Sequence, residues 1–363
     1  MALNSKHLFF VGSYAGEDQP GIAAFLFDSV TGETMAQGAI TGIKNPSYLT
    51  AHPNGRWLYA VSETGQAGDG IYGAVCSFGY KQQPFSMEAL NQQSTRGDWP
   101  CHVQIDRTGR WIAASNYGSG SVALFPILED GALGTMATFL QHEGQGPNRD
   151  RQEGPHAHSA TFSPDNRFLI VADLGIDRLV IYRFDAKSGS LDWHGGVQAE
   201  PGAGPRHLDF DPDGQRVYVA NELNNTLAIY DYDEVGGALQ PVQSLSTLPD
   251  PALPNSVADI HVSAKRSRVY VSNRGHNSLA VFDVEDMHRA HRTGIVPCGG
   301  EWPRSFALDP DEAYILVANR HSHDLAVLPV VVGGTVGPSI NKITLQQPSC
   351  VKFGGPLHGD LSE

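Results

Sequence analysis

The sequence predicts an all-β protein, a seven-bladed β-propeller with four-stranded antiparallel blades, and three observations carry that expectation. A strand–turn–strand pattern recurs with a period of roughly fifty residues, the spacing of four-stranded propeller blades. Its last copy is truncated, and the N-terminus holds the strands that this copy lacks. The 363 residues include 40 Gly and 23 Pro and are only 18% charged, which suits many short strands joined by turns around a large core.

The clearest copy is GAGPRHLDFDPDGQRVYVANELNNTLAIYDYD, residues 202–233. Pro205 opens an alternation through His207, Leu208 and Phe210. It ends at Asp211-Pro212-Asp213-Gly214, where Pro presets φ and Gly accepts a positive φ. Val217-Tyr218-Val219-Ala220 is β-branched and aromatic, Asn224-Asn225 signals a hairpin, and Thr226 to Tyr232 alternates again. A more polar outer strand is expected over residues 240–248, after the Gly236-Gly237 turn. Related copies start at Pro46 (PSYLTAHPNGRWLYAVSE), Pro100 (PCHVQIDRTGRWIAAS), Pro155 (PHAHSATFSPDNRFLIVAD), Val257 (VADIHVSAKRSRVYVSN), Pro303 (PRSFALDPDEAYILVAN) and Pro348 (PSCVKFGG). With Pro205 these make seven starts.

The copy at Pro348 has a first strand only, whereas HLFFVGSYAGEDQPGIAAFLFD, from His7, matches a second and third strand without a first. We therefore expect residues 348–353 to be the innermost strand of the last blade, with residues 7–43 supplying its outer three. Such closure removes exposed sheet edges. No linker interrupts the period, so residues 1–363 read as a single propeller domain. The longest irregular stretch, HEGQGPNRDRQEG at 142–154, reads as a loop over one rim.

Composition narrows the partners. The formal net charge of −14 argues against nucleic acid and anionic membranes, both of which reward excess Lys and Arg. No stretch approaches the ~20 apolar residues of a spanning helix, and the N-terminus lacks the layout of an export signal, so a cytoplasmic protein is expected. Cys76, Cys101, Cys298 and Cys350 are scattered without CxxC spacing and read as reduced, buried thiols.

Aligning the copies isolates candidate functional positions. After the Pro column come Ser47-Tyr48, Cys101-His102, His158-Ser159, Arg206-His207, Ala258-Asp259, Arg304-Ser305 and Ser349-Cys350. At the end of the second strand come Ser62-Glu63, Asn116-Tyr117, Asp173-Leu174, Asn221-Glu222, Asn273-Arg274 and Asn319-Arg320. A blade core wants Val, Leu and Phe, so His, Arg and Glu gathered at equivalent places call for another explanation. Arg206 and Glu222 also break the repeat's own pattern. Asp173, Asp177, Asn221, Asn273 and Asn319 recur from blade to blade, as turn and inter-blade hydrogen-bonding residues do.

The combination of GPHAHS, GPRH, NEL, SNRGHNS and WPRS, in that order, resembles the seven-bladed propeller lactonase family over nearly the whole chain. That family includes propeller-type 6-phosphogluconolactonases and carboxy-cis,cis-muconate lactonizing enzymes. The resemblance implies a catalytic set of His158 or His156, Arg206 and Glu222. A further Arg on a later blade, Arg274 or Arg304, belongs with it, and the family requires no metal or other cofactor.

These residue types suit lactone hydrolysis on chemical grounds as well. The reaction needs an activated water, a cation for the developing oxyanion and a proton for the departing ring oxygen. His158 and Glu222 are expected to share the proton transfers, with a carboxylate orienting the imidazole. Arg206 with Arg274 or Arg304 would bind anionic groups bidentately. His207, His102 and Asn221 complete the candidate substrate contacts, although His156 and His207 equally suit hydrogen bonds to a neighbouring blade. His156-Ala-His158 and His321-Ser-His323 could each be bidentate to a metal, but no acidic ligands accompany them. The expectation is a lactonase for an anionic sugar lactone, with 6-phosphogluconolactone as the first candidate, needing no cofactor. The rivals are a muconate-type cycloisomerase and a non-catalytic binding propeller.

Overall fold

Short β-branched and aromatic runs separated by Gly-, Asn- and Asp-containing turns fold into seven four-stranded antiparallel sheets. The computed structural model describes residues 5–82, 84–286 and 289–355. Each sheet is a blade, and the innermost strands are, in order, Leu49–Ala51, Pro100–Ile105, Ala157–Phe162, Pro205–Phe210, Ser256–Ser263, Pro303–Leu308 and Pro348–Phe353. Blades one to seven are numbered by these strands.

The seventh blade closes the ring as the repeat predicts. Pro348–Phe353 pairs with Lys6–Ser13, followed outward by Ile22–Asp28 and Thr34–Ile40. The seam is dry: Phe9, Val11 and Val351 are fully buried, and the Phe9 and Phe353 rings lie 5.6 Å apart. A chain ending at Gln347 lacks this strand. It is expected to lose its cooperative thermal transition by near-UV circular dichroism, because it exposes both the Lys6–Ser13 edge and the apolar face behind it. An unchanged melt would show that the ring holds without the seam.

Turn chemistry explains the recurring Asn and Asp. The hairpins between second and third strands place Gly120, Asp177, Asn225, Asn277 and His323 at φ between 51° and 61°, the left-handed region that Asn and Asp tolerate better than most residues. Asp177 also accepts hydrogen bonds from the backbone of Gly202 and Gly204, tying blade three to blade four. The fourth blade's outer strand is Ala238–Ser246, two residues earlier than expected, because it starts directly after the positive-φ Gly237. One helical turn at Gln66–Asp69 interrupts the first blade and has no counterpart in the repeat.

One local distortion positions the site. Near its start, the innermost strand of blades two to seven slips register against its neighbour, for example between Pro205 and His207 and between Pro303 and Ser305. Each slip is a β-bulge, in which the innermost strand carries one residue more than its neighbour and a side chain is re-aimed. In blades two, three, four and six the extra residues are Cys101, His158, Arg206 and Arg304, and the last three are residues that a core would reject.

Candidate active site

Two concentric rings converge on one mouth of the central channel. The inner ring holds the bulged residues Cys101, His158, Arg206 and Arg304. The outer ring holds residues at or just past the end of each second strand: Tyr14, Glu63, Tyr117, Leu174, Glu222, Arg274 and Arg320. Blade three contributes only the apolar Leu174 to the outer ring. The loop at 142–154 covers it and supplies Arg151 instead. Gln152, fully buried, fastens that loop by donating to the Leu174 carbonyl and to Asp177, and the buried His142–Asp173 pair, 2.6 Å apart, fixes where it starts.

Glu222 is the charge centre of this mouth. Its carboxylate lies 2.8 Å from Arg274 Nη2, 3.0 Å from Arg206 Nε and 2.6 Å from Arg151 Nη2. The Arg206 contact is electrostatic rather than an aligned hydrogen bond, since Arg206 Nε has no acceptor in line. Burial would raise the Glu222 pKa, but Arg274, Arg206 and Arg151 outweigh it and hold the carboxyl at about 2. At pH 7 the carboxyl is ionised. Ionised in this way, Glu222 holds three guanidinium groups in place.

The guanidinium groups are also set by backbone. Arg206 Nη1 donates to the Ala258 carbonyl at 2.6 Å, and Arg274 donates to the carbonyls of Val257 and Ser256. Burial lowers the pKa of both, that of Arg274 to about 10, and each remains protonated at neutral pH. Arg274 and Arg304 both reach this mouth: Arg304 enters from blade six, 3.9 Å from Glu63. Five guanidinium groups, those of Arg151, Arg206, Arg274, Arg304 and Arg320, thus surround two carboxylates, Glu63 and Glu222, in a chain whose net charge is −14. Such a mouth selects anions.

The structure separates the two histidines of PHAH. His158 is 5% exposed, with its ring 5.2 Å from that of His207. Cys101 donates its thiol hydrogen to the His158 carbonyl at 3.3 Å, and the sulfur lies 3.6 Å from His158 Nδ1. With the thiol hydrogen so used, the ring proton belongs on Nδ1, and Nε2 keeps its lone pair. Nε2 has no protein partner among the described residues. Burial, followed by Arg206, His207, Arg304 and Arg274, lowers the His158 pKa well below the usual range, so the imidazole is neutral at pH 7. His156 turns to the rim instead. It stacks on Tyr117 at 4.5 Å, its Nδ1 bonds the Tyr117 carbonyl and its Nε2 lies 3.3 Å from Glu153.

The other predicted contacts lie deeper or outside. The carboxylate that orients an imidazole is Asp259, 2.7 Å from His207 Nδ1, and His207 Nε2 accepts from Arg206. Burial and Arg206 lower the His207 pKa to about 4. His102 sits below the mouth and accepts from the Ala160 backbone N–H, stitching blade two to blade three. Asn221 faces the outer seam and donates to Thr226. Tyr14, Glu63, Tyr117, Arg151 and Arg320 are the mouth residues that the sequence reading did not select. Three of them stood in the aligned second-strand column. Among the described residues no cluster of His, Cys, Asp and Glu is arranged to hold a metal ion.

The family model for the seven-bladed β-propeller lactonases matches residues 8–353. This chain is a member of that lactonase family. Similar lactonases include a 6-phosphogluconolactonase of Bacillus subtilis, 33% identical over 96% of this chain and 99% of its own length. A 6-phosphogluconolactonase of Formosa agariphila is 32% identical over 88% of this chain and 91% of its own. Among solved structures, a periplasmic gluconolactonase of Pseudomonas aeruginosa superposes with a TM-score of 0.90 at 29% identity, covering 97% of this lactonase and all of the other chain. No helix among the described residues is long and apolar enough to cross a membrane.

Proposed function

We propose that this lactonase hydrolyses 6-phosphogluconolactone to 6-phosphogluconate. The observation that carries the reading is a neutral histidine with a free Nε2, His158, held inside a ring of five guanidinium groups. The names of the two relatives supply the substrate.

In this mechanism His158 Nε2 takes a proton from water as its oxygen bonds to the lactone carbonyl carbon. The carbonyl π pair moves onto oxygen, and the resulting oxyanion is stabilised by Arg206 and Arg274, which Glu222 and the backbone hold preorganised. The bond from carbon to the ring oxygen then breaks, and the proton on His158 passes to the departing oxygen. Water has been added across one C–O bond, and His158 is neutral again. His207 and its partner Asp259 position Arg206 from below.

The test is initial-rate hydrolysis by the EDTA-treated protein of 6-phosphogluconolactone, gluconolactone, galactonolactone and carboxymuconolactone. Turnover of the first, well above its spontaneous rate and indifferent to EDTA, is the expected result. Rates at the spontaneous level on all four would overturn the hydrolase assignment. A pH profile tests the base. Because the His158 pKa is depressed, its basic form persists on acidification, so kcat/KM should stay level through pH 6.5 and fall only below it. An acid limb centred at 6.5 or higher would exclude His158 as the base.

The cellular setting is part of the same proposal. Cys76, Cys101, Cys298 and Cys350 are all buried and unpaired, which suits a reducing cytoplasm.

A further inference from the structure

The seven guanidinium- and carboxylate-bearing residues of the mouth are not equally satisfied. On the arc of blades three to five, Arg151, Arg206 and Arg274 share Glu222, and two of them also bind backbone carbonyls. On the arc of blades six, seven and one the acceptors run short. The Arg304 side chain is only 13% exposed, yet its guanidinium makes no hydrogen bond within the protein among the described residues. Its nearest carboxylate oxygen, Glu63 Oε2 at 3.9 Å, already accepts from Tyr14 and Ser47. Arg320 directs Nε and Nη2 at one neutral acceptor, Gln347 Oε1, at 3.3 Å each.

Both cations lie over one ring: Arg320 is 4.1 Å and Arg304 5.2 Å from the centre of Tyr14. Stacking on an aromatic face holds a guanidinium without consuming its N–H donors. Tyr14 is thus a platform that keeps two like charges side by side with donors to spare. Burying such a pair is unfavourable unless an anion completes it. A phosphate monoester fits this demand: it carries close to two charges at neutral pH and three terminal oxygens that accept bidentate guanidinium pairs.

We infer that Arg304 and Arg320, stacked on Tyr14, form the subsite for the terminal phosphoryl group of the substrate. The inference rests on the lactonase reading above and adds an orientation to it. His158 and Arg206 stand on blades three and four, three and two blades round the ring from Arg304 and Arg320, which both belong to blade six. In a 6-phosphorylated 1,5-lactone the carbonyl carbon and the carbon bearing the phosphorylated arm flank the same ring oxygen, and the CH2–O arm carries the phosphoryl group away from the carbonyl. A substrate whose arm reaches Arg304 and Arg320 presents its carbonyl to His158 and Arg206.

Product binding tests this independently of turnover. Calorimetric titration with 6-phosphogluconate and with gluconate, on the wild type and on Arg320→Gln, gives the ratio of their affinities. The wild type should favour the phosphorylated acid, and Arg320→Gln should shrink that preference at least about tenfold, the loss of one charge-assisted hydrogen bond. The same shrinkage is expected in the ratio of kcat/KM for the phosphorylated over the unphosphorylated lactone. Arg304→Lys serves as a second variant: it keeps the charge and loses the planar fork, and should reduce the preference as well. A preference unchanged within twofold in both variants overturns the subsite, as does a wild type that binds both acids equally. A clear preference for 6-phosphogluconate without turnover of any lactone would sink the hydrolase reading and leave the subsite standing.

Discussion

Replacing His158 by glutamine should lower kcat on the phosphorylated lactone by about 10² to 10⁴, the range for removing a general acid–base group, while KM changes little. Glutamine keeps the polarity and approximate size of imidazole next to Cys101 but cannot take a proton from water. The neighbouring histidines are committed elsewhere. His207 has Nδ1 committed to Asp259 and Nε2 facing Arg206, His102 accepts from the Ala160 backbone, and His156 is stacked on Tyr117 at the rim. Steady-state kinetics beside a thermal melt of the same variant would check it. A loss of less than about tenfold in a normally folded variant would exclude His158 as the base.

A second large effect is expected in stability rather than rate alone. Glu222→Ala strips the buried counter-charge from Arg151, Arg206 and Arg274, and breaking a buried ionic cluster from one side typically costs about 3–5 kcal/mol. The depressed pKa gives a consistent figure, since a fall from 4.5 to about 2 corresponds to roughly 3 kcal/mol. The sign follows from the direction. A carboxyl whose folded pKa is lowered contributes its full stability above pH 4.5 and loses it as pH falls towards 2. Denaturant titrations should therefore show a wide gap between wild type and variant at pH 7 that narrows steadily below pH 4.5. A gap of constant width would mean that Glu222 matters for its shape and not for its charge. Turnover should be lost as well, because the oxyanion cations no longer have a fixed position.

Much of this molecule was legible in the repeat, and the reason is physical. Each blade buries the same pattern against its neighbours, so the strands and the closing seam of Pro348–Phe353 follow from alignment of the chain with itself. The same alignment exposes His158, Arg206, Glu222, Arg274 and Arg304, because a packed core would not accept them. Glu63, Tyr117 and Arg320 stood in the aligned second-strand column and lacked only a reason to be preferred. Tyr14 was hidden by the missing first strand of the N-terminal copy. Arg151 left no signal, since it comes from an unrepeated loop and meets Glu222 only through the closed ring. The place of Glu222 among three guanidinium groups was hidden for a related reason: they come from different parts of the chain. His156 and His158 differ through a bulge, and bulges are not written in alternation patterns.

The bulges also bear on how such a mouth can change over time. A bulged residue stands outside the hydrogen-bond ladder, so replacing it leaves the pairing of its strand intact. The innermost strands thus present a set of sockets around one axis, each able to exchange its side chain without breaking the hydrogen-bond ladder of its own strand. Cys101, His158, Arg206 and Arg304 are one occupancy of that set, and other occupancies would confront other substrates from the same scaffold. Selection for a new lactone can act one socket at a time, with the stability of the ring carried by residues that need not vary.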